Sequence, residues 1–123
     1  MGLDQYFFVK ANNSEGEEKD VCVATFRKHP NLHGFFARRW LAQNPDKKED
    51  DFNGEQYVIT EEDLTTLLKA NQDKDLTEGH GDTHGFFFGE RAEEDYRYEV
   101  VDVVLRARQM LEDKFTVVYD SWW

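Results

Sequence analysis

Two runs near the start of the chain, Leu3 to Ala11 (LDQYFFVKA) and Val21 to Lys28 (VCVATFRK), concentrate aromatic and β-branched residues and predict strands. The polar stretch Asn12 to Asp20 between them predicts a turn, so the pair reads as a hairpin with a long connection. The period then changes. From Pro30, a residue suited to a first helical turn, Leu32, Phe35, Phe36, Arg39 and Trp40 fall on one face of a helix that runs to about Gln43. Asn44-Pro45 stops it, and Asp46 to Gly54 predicts an exposed acidic loop.

Gln56 to Ile59 predicts a short extended segment. Thr60 follows as a helix cap, with acids at 61 to 63 that suit a helix N-terminus and a narrow apolar stripe at Leu64, Leu67 and Leu68. Asp73 to His84 predicts a loop. It leads into Gly85-Phe86-Phe87-Phe88-Gly89, which is too short for a helix, closed by breakers, and apolar enough to predict a buried central strand. The third helix is expected over about Glu93 to Glu112, with Tyr96, Val100, Val103, Val104, Ala107, Met110 and Leu111 on one arc. A second flank, Tyr98, Val101 and Leu105, is wider than one sheet contact requires and suits another element or a second copy in a homodimer. Phe115 to Tyr119 predicts the last strand, and the chain closes Asp120-Ser121-Trp122-Trp123. The whole, residues 1–123, predicts a single small α+β domain with a mixed or antiparallel sheet and about three helices packed on it.

Composition sharpens this picture. Ten Phe, five Tyr and three Trp in 123 residues supply a core from few large side chains, which argues against disorder despite 33% charged residues. The formal net charge of −11 disfavours direct binding to nucleic acid or anionic membranes and favours basic partners, mimicry of DNA being one sharper form of that reading. The one cysteine, Cys22, cannot form an internal disulfide and reads as a strand residue. Met1-Gly2-Leu3-Asp4 has no basic region followed by an apolar run, and no segment reaches membrane-spanning length, so a cytoplasmic setting is expected.

The first candidate site is a ligand-binding segment, Arg27, Lys28, Asn31 and His33. Two cations beside the exposed N–H groups of a helix start make an anion site, reinforced by Arg38 and Arg39 in an otherwise acidic chain. The competing reading pairs those cations with carboxylates and packs His33 into the core. His29 with His33 and His80 with His84 are spaced i, i+4, but two ligands do not make a metal site, and no metal or other cofactor is expected. Trp122 and Trp123 are candidates for contact with a partner, Trp122 being expected to dock back on the domain. No pair of carboxylates is marked as acid and base, and Asp4 and Asp95 serve as readily as structural charges.

Four pieces in order, Met1-Gly2-Leu3-Asp4-Gln5-Tyr6, the segment Phe26 to Phe36 (FRKHPNLHGFF), Gly85 to Gly89, and Tyr119-Asp120-Ser121-Trp122, resemble a family of small tailed-phage proteins. Members often carry the label phosphoglycerate kinase, which this sequence does not support: it has no glycine-rich phosphate loop with a lysine and is too short for a two-lobed kinase. The resemblance implies a phage accessory protein acting inside the infected host, without an established activity. Two functions are expected from these readings: a non-enzymatic acidic binder of a host or defence protein, or a protein that holds a phosphate-bearing nucleotide or metabolite near Arg27 and His33.

Overall fold

A computed structural model describes residues 3–12, 15–27, 30–72 and 97–123, with the backbone alone at 30, 31, 72 and 97. Two long strands open the chain, β1 (Asp4–Asn12) and β2 (Glu18–Arg27), paired antiparallel from Asp4↔Arg27 to Asn12↔Glu18. Helix α1 follows (Pro30–Gln43), then a 3₁₀ turn (Glu49–Phe52), the two-residue β3 (Tyr57–Val58), α2 (Glu61–Gln72), α3 (Arg97–Glu112) and β4 (Thr116–Trp122). The strands form a four-stranded antiparallel sheet in the order β2-β1-β4-β3. The expected α+β domain is therefore the observed one.

Alternation along β1 sorts the sheet into two faces. Leu3, Gln5, Phe7 and Val9 are buried, while Asp4, Tyr6, Phe8 and Lys10 are partly exposed. Phe7, Val9, Phe26, Tyr57, Val117 and Tyr119 join the same hydrophobic core as Leu32, Phe35 and Phe36 of α1, Leu64 and Leu67 of α2, and Val100, Val103, Val104 and Ala107 of α3. All three described helices thus cover one face. Aromatic edges fill its centre: Phe36 stacks on Tyr119 at 4.3 Å, and Phe7 meets Phe26, Phe36 and Tyr119 edge to face.

Helix ends follow local chemistry. At α2, Thr60 Oγ1 accepts from the Asp63 N–H at 3.2 Å and Asp63 Oδ2 accepts from the Thr60 N–H at 2.8 Å, a reciprocal capping box. At the end of α3, Lys114 adopts φ 71° while its N–H and that of Phe115 donate to Leu111 and Met110 carbonyls, which closes the last turn.

Three expectations are corrected. Residues 46–54 do not form only an exposed loop, because the 3₁₀ turn buries Phe52 completely against Trp40 and Tyr119. The last strand does not stop at Tyr119. It continues through Asp120 and Ser121 to Trp122, since β1 offers partners as far as Asp4. The hairpin connection is shorter than the expected Asn12 to Asp20, because β2 begins at Glu18, which pairs with Asn12. The expected Phe86 to Phe88 strand, the 73–84 loop and the start of the third helix at 93–96 lie outside the described residues.

The two faces also differ in curvature. In a flat sheet, three strand spacings would separate β2 from β3 by about 14 Å. Yet the Gln56 side chain, immediately before β3, donates to that of Asp20 in β2 at 2.9 Å, so the sheet curls about its second face far enough for side chains from its two edges to touch. The bulge between Phe7 and Phe8, which leaves Val23 of β2 without a partner in register, supplies extra twist where the hairpin bends.

Candidate functional site

On the helix-covered face, a polar strip runs through the core. Gln5 Nε2 donates to Tyr119 Oη at 2.9 Å, and Ser121 Oγ lies 3.2 Å from His33 Nδ1. Strand parity brings Gln5, Tyr119 and Ser121 together, because Gln5↔Ser121 and Phe7↔Tyr119 are facing pairs on that side. His33 joins them from the inner face of α1, wholly buried, with Trp123 edge-on at 4.6 Å and Phe52 at 5.8 Å. Burial, helped by the charge of Arg38, lowers the His33 pKa from 6.5 to about 3, and burial raises that of the Tyr119 hydroxyl above its ordinary value. A serine and a histidine at this distance have the geometry of a nucleophile and its base. Both are sealed in the core, so here the contact fixes how α1 seats on β4.

The predicted anion segment is divided by the sheet. Arg27 pairs with Asp4 in register and projects from the second face, 75% exposed, with Nε 3.1 Å from Asp4 Oδ1. His33 lies in the core behind the opposite face. The fold does not bring the two together. Lys28 and the side chain of Asn31 lie outside the described residues, as do His29 and the His80 to His84 loop. Arg39, expected to reinforce the segment, is turned instead to Asp63 of α2 at 2.6 Å and lies over the Phe35 ring at 4.7 Å. Among the described residues, no group of three or more His, Cys, Asp or Glu could hold a metal. None of their helices is long and apolar enough to cross a membrane.

Docking was expected of Trp122, and Trp123 is the residue that docks. Strand parity puts Trp122 on the second face, 56% exposed with its ring beside Gly54, so the docked residue is not Trp122. Trp123 turns inward to His33 and is clamped by Asn53, whose Oδ1 accepts from the Trp123 N–H at 3.1 Å while its Nδ2 donates to the Trp123 carbonyl at 2.8 Å.

The second face carries the charge and the aromatics. Tyr6 and Phe8 stack at 5.6 Å with their planes 15° apart. Beside them Lys10 Nζ binds Asp20 at 3.0 Å and Glu18 at 3.8 Å, and Asp120 faces Tyr6 in the β1–β4 register. Hydrogen bonds from Gln56 and Lys10 hold the Asp20 pKa below the usual carboxylate range. Burial, with the nearby charges of Asp20 and Glu55, pushes that of Asp120 up. At the mouth of this face, Asp4, Tyr6, Thr25, Phe26 and Arg27 line a concavity of about 370 Å³. Asp20 and Asp120 are not among the residues that local sequence pattern marks as a site. The available signal was parity: an aspartate one residue beyond Tyr119 must project opposite the core face. Set against family models, curated proteins and solved structures, the chain matches none.

Proposed function

We propose that this chain is a non-enzymatic phage accessory protein whose second sheet face docks a basic surface of a host or defence protein. The observation that carries the reading is the juxtaposition on one concave face of the stacked Tyr6 and Phe8 rings with the carboxylates of Asp20 and Asp120. A platform of aromatic rings edged by acids suits a cationic partner, and the net charge of −11 steers such a partner from a distance. The resemblance to small phage proteins supplies the setting.

The test is capture from host lysate followed by reconstitution with the purified partner. Binding is expected to weaken with salt and to fall at least tenfold for the Tyr6→Ser, Asp20→Asn double variant. A partner that binds this variant as tightly as the unaltered chain, or the recovery of no specific partner at low salt, would overturn the proposal.

The concavity beside Arg27 supports a second reading, a phosphate-bearing nucleotide or metabolite held by that guanidinium over the Tyr6 ring. A thermal-shift screen against nucleotides and simple phosphates separates the two. Ligand at a hundred times its Kd adds about 2.7 kcal/mol, and the shift should vanish in Arg27→Ala.

A further inference from the structure

We propose that Asp120 is the anchor for an arginine side chain presented by the partner, an assignment that rests on the binding function proposed above and names the group it recognises. Asp120 is 6% exposed, and its Oδ1 has no hydrogen-bond partner. A buried carboxylate oxygen left unpaired is costly and marks a place where a donor belongs. The nearby cation, Lys10, is already bound between Asp20 and Glu18.

The surroundings select among cations. Tyr6 stands directly across from Asp120 in the strand register and stacks on Phe8, which gives a flat apolar surface next to a buried acceptor. A guanidinium is planar, stacks on such rings and offers several donors in one plane, whereas an ammonium is a strongly hydrated point charge. Tyr57↔Tyr119 places Gln56 next to Asp120 in register, so the Gln56–Asp20 bridge spans the face at this point. The arginine enters by parting that solvent-accessible bridge.

The test is an amide-resolved NMR titration of the full chain with N-acetyl-arginine amide and, separately, N-acetyl-lysine amide. Saturable shifts are expected at Tyr6, Phe8, Asp120 and Ser121, several-fold weaker with the lysine compound. They should be at least tenfold weaker in Asp120→Asn and unchanged in Glu112→Gln, which alters a carboxylate on α3. Shifts spread over the acidic surface, equal for the two compounds or insensitive to Asp120→Asn, overturn the assignment. Should Asp120→Asn fail to fold, Tyr6→Leu removes the stacking surface, and undiminished arginine binding there is equally decisive against it. Capture of the basic partner distinguishes the two levels. If Asp120→Asn retains full capture, the anchor fails and the binder stands; if the unaltered chain captures no basic protein, the binder itself fails and the anchor with it.

Discussion

Arg39 Nη1 stands 2.6 Å from Asp63 Oδ1, and this contact ties α1 to the first turn of α2. The other carboxylate oxygen accepts from Tyr57 Oη at 2.9 Å and from the Thr60 N–H at 2.8 Å. One buried acid therefore joins two helices, the edge strand and a helix cap. Burial, with the Asp63 carboxylate as acceptor, pushes the Tyr57 hydroxyl pKa well above 10.

Asp63→Ala is expected to destabilise the domain by about 3–5 kcal/mol, because it leaves Arg39 only the more distant Glu62 carboxylate at 3.9 Å, strips Tyr57 of its acceptor and uncaps α2 together. Arg39→Ala should cost less, about 1.5–3 kcal/mol, since Tyr57 and Thr60 still serve the carboxylate. Urea unfolding with an unchanged slope checks both. Equal effects would mean that the capping hydrogen bonds contribute little.

Stability should fall in acid through His33. Its folded pKa lies near 3, below the unfolded value of 6.5, so between these the unfolded chain binds a proton that the folded chain refuses. The contribution is absent above pH 6.5 and grows by about 1.4 kcal/mol of lost stability per pH unit below it. His33→Asn, which keeps a polar atom near Ser121 and removes the titration, should unfold with a shallower pH dependence. In NMR the His33 ring should not titrate from about pH 7 to about pH 4; a midpoint near its ordinary value would show that water reaches it.

Gly16 and Gly54 both hold left-handed backbone, at φ 82° and 79°, but a Cβ on Gly16 meets nothing within 4 Å while one on Gly54 comes within 3.2 Å of the Trp122 ring. Gly16→Ala should therefore cost about 1 kcal/mol from backbone strain alone. Gly54→Ala should cost about 2–3 kcal/mol and change tryptophan fluorescence, because the ring must move. Equal losses would show that Trp122 swings aside freely.

Lys114→Gly should stabilise the domain. The residue ends α3 in a conformation with φ 71° that a side chain disfavours, and glycine adopts it without that penalty. A gain of up to about 1 kcal/mol is expected in thermal or urea unfolding. No gain would mean that the Lys114 side chain makes a compensating contact.

Local chemistry made α1 legible from Pro30 to Gln43 and α2 from its Thr60 cap, because periodicity and capping are properties of neighbouring residues. The hairpin was legible for the same reason. The 3₁₀ turn was not: Phe52 sits alone in an acidic run, and its burial depends on Trp40 and Tyr119, which come from other parts of the chain. Arg27 and His33 are six positions apart and looked like neighbours on a common site. A strand end and a helix start between them turn one outward and the other inward, and only the pairing of β2 with β1 decides that division.

What the sequence determined by itself was the inventory: where the strands and α-helices of the described residues lie, a core built from aromatics, and a strongly acidic surface. These depend on side-chain type and spacing within a few residues. Tertiary structure alone decided which carboxylates share a face with Tyr6 and Phe8, that Trp123 and not Trp122 is docked, and that Asp120 lies buried among other acids. Strand register sets those relations, and register follows from joining Asp4 to Trp122 and from the curl that carries Asp20 to Gln56.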